Sequence, residues 1–272
     1  GGLQMQTLFR NPLAGPSVLG ITAGASLGVA AVMLAAGSAT TAFTIRSLGI
    51  GGSWLIVIAA SIGAALVLLA ILAISYRIRD NVVMLIVGIM VANITIAIVS
   101  IWQFFSNPEQ MQEYILWTFG SLGGVTTSQL QVLGLIVSLG VLMTFALSKT
   151  LNALLLGEDY AQSMGLNIRK SRFAIIGVTS ILAGAITGFC GPIGFVGIAV
   201  PHLTRSFLNT SDHRILIPSC VLVGAILMLV CDIISQVPGS NTVLPVNAIT
   251  AMIGSPIVIW IIVKRRNLKA SF

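Results

Sequence analysis

Long stretches without a charged side chain dominate the hydrophobic pattern of this chain. Because a helix rises about 1.5 Å per residue, about 20 apolar residues cross the hydrocarbon core of a bilayer. The uncharged stretches are 11–45, 47–76, 81–108, 114–148, 173–204, 215–231 and 233–263. They predict an all-α, polytopic membrane helix bundle with eight helices, near 16–37, 53–75, 81–104, 128–148, 172–190, 192–208, 214–236 and 245–263.

The composition agrees with this pattern and excludes other classes of protein. Apolar and aromatic residues make up 56% of the 272 residues and charged residues only 8%, against roughly 25% charged in a soluble domain. We therefore do not expect a soluble enzyme. The net charge of +7 comes from short basic islands rather than one basic face, so we do not expect nucleic-acid binding either.

Lysine and arginine residues mark one side of the predicted bundle. In short loops these residues resist translocation and stay in the cytoplasm. When the eight helices alternate from Pro16, one set of ends carries thirteen basic residues and the other carries Arg46 alone. We therefore expect a cytoplasmic C-terminus. The thirteen residues are Arg10, Arg77, Arg79, Lys149, Arg169, Lys170, Arg172, Arg205, Arg214, Lys264, Arg265, Arg266 and Lys269.

The start of the sequence is typical of the end of a helix. Residues 1–9 are mostly apolar, and the sequence begins with Gly-Gly rather than Met. We expect one transmembrane domain over 1–272, preceded in the native protein by further residues, so that the number of helices is a lower bound.

A break at Gly191 and Pro192 interrupts one apolar stretch. Only 32 residues separate Arg172 from Arg205, which is too few for two comfortable spans of about 20 residues. Irregular backbone at membrane depth is tolerated only inside protein or beside a watery cavity. The sequence therefore predicts that this segment, with Gly194, forms a wall of a pathway.

The longest inner connection, 149–171, predicts two short helices. Leu151, Leu154 and Leu155 recur at helical spacing. Gly157 is expected to end the first helix, and Gly165 the second. Periodicity alone leaves two interpretations open: a surface for a partner protein, or an amphipathic loop resting on lipid headgroups.

The chain lacks the groups that would supply energy for transport. None of the predicted spans has an ionisable residue near its centre, as ion-driven transporters usually do. The phosphate-binding pattern G-x-x-x-x-G-K-[ST] is also absent. The three cysteines have no metal-ligand spacing. We expect a chain that is not an enzyme and binds no metal or cofactor. An ion-coupled secondary transporter, a channel and a membrane scaffold remain as alternatives.

Short motifs follow one another along nearly the whole chain. They are G-G-L-Q (Gly1 to Gln4), R-N-P-L-A (Arg10 to Ala14), L-G-I-T-A-G-A-S-L-G (Leu19 to Gly28), G-E-D-Y-A-Q-S-M-G-L (Gly157 to Leu166), G-P-I-G-F-V-G-I-A-V-P-H-L-T-R (Gly191 to Arg205), D-H-R-I-L-I-P (Asp212 to Pro218) and L-P-V-N-A-I-T-A-M-I-G-S-P (Leu244 to Pro256). In this order the chain resembles the FecCD or BtuC-like family, the permease subunits of ATP-binding-cassette (ABC) importers for iron-siderophore complexes, haem and vitamin B12.

This resemblance implies a fold of ten helices, of which the first and most of the second would precede this sequence. It implies a multi-pass permease of the bacterial inner membrane that imports an iron complex or cobalamin by alternating access. The implied partners are a second permease copy, two ATP-binding subunits that hold ATP and Mg, and an extracytoplasmic substrate-binding protein.

The resemblance also implies roles for individual residues. Val243 and Asn247 stand where the family usually has an acid and a glycine. An inner gate is implied at Asn11, Leu13, Asp80 and Asn81, in addition to the pathway wall predicted above at Gly191, Pro192 and Gly194. Contact with the ATP-binding subunit is implied for Gly157, Glu158, Asp159, Ala161, Gln162, Met164, Gly165 and Leu166.

Overall fold

The computed structural model describes residues 1–35, 50–77, 80–236 and 243–265. Every regular element in this part of the chain is a helix, which confirms the predicted all-α class. Arg46, Arg79, Arg266, Lys269 and the last residues of the helix predicted near 16–37 lie outside the described residues.

The helices follow one another with short connections. A 3₁₀ turn at Pro16–Leu19 precedes α2, and a π-helical turn at Ala31–Ala35 follows it. The helices are α1 (Gly2–Leu8), α2 (Ile21–Ala30), α3 (Ile50–Arg77), α4 (Asn81–Phe105), α5 (Pro108–Thr118), α6 (Thr127–Ala146), α7 (Ser148–Leu155), α8 (Glu158–Ser163), α9 (Ile168–Cys190), α10 (Val196–Leu208), α11 (His213–Ser235) and α12 (Val246–Arg265).

Each of the eight predicted helices has a counterpart, although their lengths differ. Within the described residues, five helices are long and apolar enough to cross a membrane: most of α3, and all of α4, α6, α9 and α11. Helix α10 has only 13 residues and starts at Val196, because the Gly191–Pro192 break uses the residues that were predicted to begin it. The helix predicted at 128–148 ends at Ala146, where α7 soon takes over.

The chain divides into two compact units. Unit 1 comprises residues 1–15, 139–179 and 193–272, and unit 2 comprises 16–138 and 180–192. The boundaries fall inside α6 and α9. The prediction of a single domain over 1–272 stays a prediction.

Unit 2 is built on close contacts between helices at glycine. Helix α2 packs against α3 and α4. A Cβ atom on Gly24 would lie 2.6 Å from the carbonyl oxygen of Gly63 in α3, and one on Gly88 in α4 would lie 2.6 Å from that of Val18. Since side chains would keep these backbones apart, glycine allows the helices to touch directly.

Unit 1 surrounds the short helix α1. All residues of α1 from Gly2 to Leu8 are buried, including Gln4, Gln6 and Thr7. Helix α1 packs against α7 and α10, while α10 also contacts α11 and α12. The polar side chains of α1 find partners: Gln6 donates to the carbonyl oxygen of Ile198 and accepts from Arg205, and Gln4 accepts from Thr179.

Candidate functional site

The connection between α6 and α9 folds as two short helices, as predicted from its leucines and glycines. Leu151 and Leu154 of α7 are buried, because they lie on the face of α7 that points into unit 1. Gly157 joins α7 to α8 with φ 116° and ψ 150°, a conformation that is almost restricted to glycine. Helix α8 then runs from Glu158 to Ser163.

Gly165 ends α8 in a Schellman motif. Its φ is 87°, the left-handed conformation that glycine adopts without steric cost. The N–H of Leu166 donates to the carbonyl oxygen of Ala161 at 3.0 Å, and the N–H of Gly165 donates to that of Gln162 at 2.9 Å. These two bonds satisfy carbonyl groups at the end of the helix, so the turn after α8 has a defined shape.

The predicted partner-contacting residues divide into two groups. Asp159, Gln162, Met164 and Gly165 are exposed, and Glu158 and Leu166 are half-buried. Gly157 and Ala161 are buried. The buried pair supports the loop from inside rather than offering side chains to a partner.

The exposed side of α8 carries an apolar surface that was only partly predicted. Leu156, Tyr160 and Met164 are 63%, 54% and 53% exposed. Leu156 lies at the end of α7, and Tyr160 and Met164, four residues apart, lie on α8 and at its end. We name these three residues the loop patch. Exposed apolar patches of this kind mark contacts with a partner protein or a membrane.

Arg172 ties α8 to α9, and Arg10 lies beside the start of α8. Arg172 of α9 donates to Glu158 at 3.0 Å, and its side chain is almost completely buried. The guanidinium of Arg10, just after α1, lies over Gly157, where a Cβ atom would come within 2.7 Å of its Nη2. Glu158, the first residue of α8, is therefore fixed to α9.

A buried polar network at Asn152 was missed by sequence reasoning. Asn152 Oδ1 accepts from the N–H and from Nδ1 of His213, at 2.9 and 2.7 Å. Its Nδ2 donates to Asp212 at 2.7 Å. His213 Nε2 lies 2.8 Å from Thr7 Oγ1. The only signal in the sequence was the D-H-R-I-L-I-P motif, since the partners are 61 and 206 residues from His213.

Asp212 is stabilised as a carboxylate in this network. The backbone N–H of Arg214 and, next, the amide of Asn152 donate to it and hold the pKa of Asp212 below its usual value. Hydrogen bonds to the charged form of an acid have this effect. Asp212 also begins α11, because the same bond to Arg214 satisfies a free N–H of the first turn.

The candidate gate residues Asn11 and Leu13 lie in a turn directly after α1. The side chain of Asn11 accepts from the N–H of Leu13 at 2.9 Å. His202 Nε2 lies 2.7 Å from the carbonyl oxygen of Pro12, which can only accept, so His202 donates. The turn is thus clamped from α10.

Asp80 and Asn81, the other candidate gate residues, belong to unit 2. Asp80 is the N-cap of α4: its carboxylate accepts from the N–H groups of Val82 and Val83 at 2.7 and 3.0 Å. This contact is the ordinary one for an aspartate that starts a helix. The gate role of both residues stays a prediction.

The break after α9 has defined contacts at Gly191 and at Gly194. In unit 2, Gly191 has φ 76°, and a Cβ there would lie 2.6 Å from the carbonyl oxygen of Trp117. A cleft of about 190 Å³ lies beside it. In unit 1, the N–H of Gly194 donates to Asn247 Oδ1 at 2.9 Å. The place of Gly191, Pro192 and Gly194 in a pathway wall stays a prediction.

The FecCD transport family matches this chain over residues 1–264. The Klebsiella pneumoniae vitamin B12 import system permease protein BtuC is 34% identical over 268 residues, which are 98% of this chain and 76% of that protein. The Yersinia pestis hemin transport system permease protein HmuU is 32% identical over 270 residues, 99% of this chain and 78% of that protein.

A solved structure shares the fold. It shows an inward-facing conformation of a metal-chelate type ABC transporter and superimposes with a TM-score of 0.85 at 25% identity. The match covers 97% of this chain and 80% of that one.

Proposed function

Because this chain belongs to the FecCD transport family, we propose that it imports an iron complex, either a ferric siderophore or haem, or else cobalamin, as the permease subunit of an ABC importer. The two similar permeases named above act on vitamin B12 and hemin, and the similar solved structure is of the metal-chelate type. Several apolar helices of spanning length make the chain a multi-pass membrane protein.

The loop patch is the observation that carries the proposal. Leu156, Tyr160 and Met164 are exposed on a connection that the Arg172–Glu158 ion pair and a Schellman turn hold in shape. A rigid, exposed apolar surface suits docking into a groove, because little conformational entropy is lost on binding. We assign this surface, together with Asp159, Gln162 and Gly165, to contact with an ATP-binding subunit.

The proposed assembly has two copies of this permease, two ATP-binding subunits and an extracytoplasmic substrate-binding protein. ATP and Mg bind to the ATP-binding subunits, and this chain holds neither. The loop 149–171 and the C-terminus face the cytoplasm of a bacterial cell, and the helices cross its inner membrane. The excess of basic residues on one set of helix ends supports this orientation.

The proposed transport cycle alternates between two packings of the same helices. Closure of the ATP-binding subunits moves the loops that they hold, and the pathway then opens to one side at a time. The permease needs only a small difference in free energy between the two packings, which nucleotide and the loaded binding protein shift in turn. The Asn11–Leu13 turn closes the inner side.

Co-purification with an ATP-binding subunit tests this proposal. We expect the double variant Leu156→Ser, Met164→Ser to lose most of the bound ATP-binding subunit, because it removes two of the three apolar contacts. The matched control is Phe207→Ser at the end of α10, which also removes an exposed apolar side chain. Equal binding in the double variant and the control would contradict the assignment of the loop patch.

Uptake by reconstituted vesicles tests the substrate and the source of energy. We expect accumulation of one of cyanocobalamin, haemin or ferrichrome-bound iron that depends on both ATP and the binding protein. An ion-coupled secondary transporter would instead accumulate solute without nucleotide when an ion gradient is applied, and a channel would only equilibrate it. Either result would refute the proposed function.

A further inference from the structure

Helix α1 connects the two regions that move in the proposed transport cycle, the Asn11–Leu13 turn and the loop 149–171. It ends in the Asn11–Leu13 turn, the candidate inner gate. It also packs against α7, the first helix of the loop that carries the loop patch. The contacts between α1 and α7 therefore decide how far a shift of the loop reaches the gate.

A chain of hydrogen bonds joins the two helices through His213. Asn152 of α7 uses one amide oxygen to accept twice from His213, and its amide group donates to Asp212. The orientation of the amide is fixed, because the backbone N–H of His213 needs an acceptor and the Asp212 carboxylate needs a donor. His213 is completely buried.

This series of hydrogen bonds ends at the Thr7 hydroxyl of α1. Since His213 Nδ1 donates to Asn152, its Nε2 is free to meet Thr7 Oγ1 at 2.8 Å. Thr7 also lies 3.0 Å from the carbonyl oxygen of Leu3 within α1. The Thr7 hydroxyl has one proton and can donate to only one of these two partners at a time. When the His213 imidazole is neutral and protonated at Nδ1, its Nε2 accepts this hydrogen bond.

The same stretch of α1 is tied to the gate turn. The N–H of Asn11 donates to the carbonyl oxygen of Gln6 at 3.2 Å. His202 holds Pro12, and the Arg10 guanidinium lies over Gly157 at the start of α8. A displacement of Thr7 relative to these contacts changes the position of the turn.

Hydrogen bonds transmit displacement differently from apolar packing. Apolar burial is non-directional, whereas a hydrogen bond weakens steeply once donor and acceptor separate beyond about 3.2 Å or lose alignment. A buried polar group that loses its partner destabilises the packing in which it lies. Helices α7 and α1 therefore move together, or the hydrogen bonds that link Asn152, His213 and Thr7 break.

We propose that Asn152, His213 and Thr7 are positioning residues that transmit movement of the inner loop to the Asn11–Leu13 gate. The inference rests on the proposed function, since it supposes that an ATP-binding subunit moves the loop. It goes beyond that function in naming the contacts that carry the movement.

The accessibility of the gate provides the test. In a chain whose three cysteines are replaced by alanine, Leu13→Cys places one thiol in the gate turn, where Leu13 is exposed. The complex with the co-purified ATP-binding subunit is placed in nanodiscs. The rate of labelling with a polar maleimide is then measured without nucleotide and with MgATP plus vanadate.

The variants separate a transmitting role from a structural one. We expect Thr7→Val and Asn152→Ala to reduce the nucleotide-dependent ratio of labelling rates by roughly two- to tenfold, the range that one hydrogen bond contributes. Thr7→Ser retains the hydroxyl and should restore the ratio. The control Thr144→Val also removes a buried hydroxyl, but this group bonds only to the carbonyl oxygen of Gly140 in its own helix, so its ratio should not change.

The outcomes distinguish this inference from the proposed function. Unchanged ratios in both Thr7→Val and Asn152→Ala would overturn the inference but not the proposed function. The same holds if the labelling rate of Leu13→Cys is equal without nucleotide and with MgATP plus vanadate. Failure of the unsubstituted chain to bind any ATP-binding subunit would overturn the proposed function, and this inference with it. If Thr7→Val does not fold, Asn152→Ala decides alone, because Asn152 lies half-buried at the edge of the loop.

Discussion

Replacement of Gly24 by alanine tests the contact on which unit 2 depends. The added Cβ would lie 2.6 Å from the carbonyl oxygen of Gly63 and 2.6 Å from Val67 Cγ2. Ordinary contacts of this kind begin near 3.4 Å. Helices α2 and α3 must therefore separate by about 0.8 Å, and close-packed interiors resist such a shift.

The expected magnitude follows from comparison with a glycine that has free space. Overpacking of this size costs about 1–3 kcal/mol. Alanine also favours the helical state over glycine by about 1 kcal/mol, which partly hides the cost. Gly134 in α6 has nothing within 4 Å of an added Cβ, so Gly134→Ala receives the same gain without the clash. We expect Gly24→Ala to be less stable than Gly134→Ala by about 1–3 kcal/mol.

Unfolding in mixed micelles with increasing SDS measures this difference. The loss of helical circular dichroism gives the midpoint for each variant, and the original chain gives the reference. If Gly24→Ala and Gly134→Ala unfold at the same SDS fraction, α2 and α3 do not touch at Gly24 and the packing described for unit 2 is wrong.

Three further predictions concern the loop, the network and the break. Gly165→Asn should keep binding of the ATP-binding subunit, whereas Gly165→Val should lower it in co-purification, because a branched residue at φ 87° costs about 1–3 kcal/mol. The lowered pKa of Asp212 contributes stability that is complete above about pH 4 and is lost as the pH falls through the folded-state pKa. Asp212→Asn should therefore be less thermostable than the original chain at pH 7, and thermal unfolding should show this difference shrink as the pH falls through the folded-state pKa of Asp212. Asn247→Ala should lower stability by about 1–3 kcal/mol, because the N–H of Gly194 loses its acceptor, and Asn247→Asp, which keeps an acceptor, should recover much of it in thermal unfolding.

The loop shows which parts of the site could be predicted from the sequence. Its two short helices, the end of the first at Gly157 and the end of the second at Gly165 were predicted correctly, because glycine conformation and leucine spacing act within a few residues. The burial of Ala161 was not predicted, since a small apolar residue fits either side of a short helix. The buried side of α8 is decided by tertiary contacts, among them those with α7.

The break between α9 and α10 shows the same division. The short distance between Arg172 and Arg205 was enough to predict a cramped pair of helices, and α10 does have only 13 residues. Asn247 was recognised only as an unusual residue for its position. Its bond to Gly194 spans 53 residues and gave no local signal.

The sequence by itself determined the all-helical class, the membrane setting and the approximate helix limits, because the bilayer imposes a length and a polarity on every span. Its motifs also determined the family. Tertiary structure decided which polar residues meet: Thr7, Asn152 and His213 come from three helices, and hydrogen bonds between them depend on distance and direction that no periodicity encodes. It likewise decided which glycines lie against backbone, as Gly24 does, and which face open space, as Gly134 does.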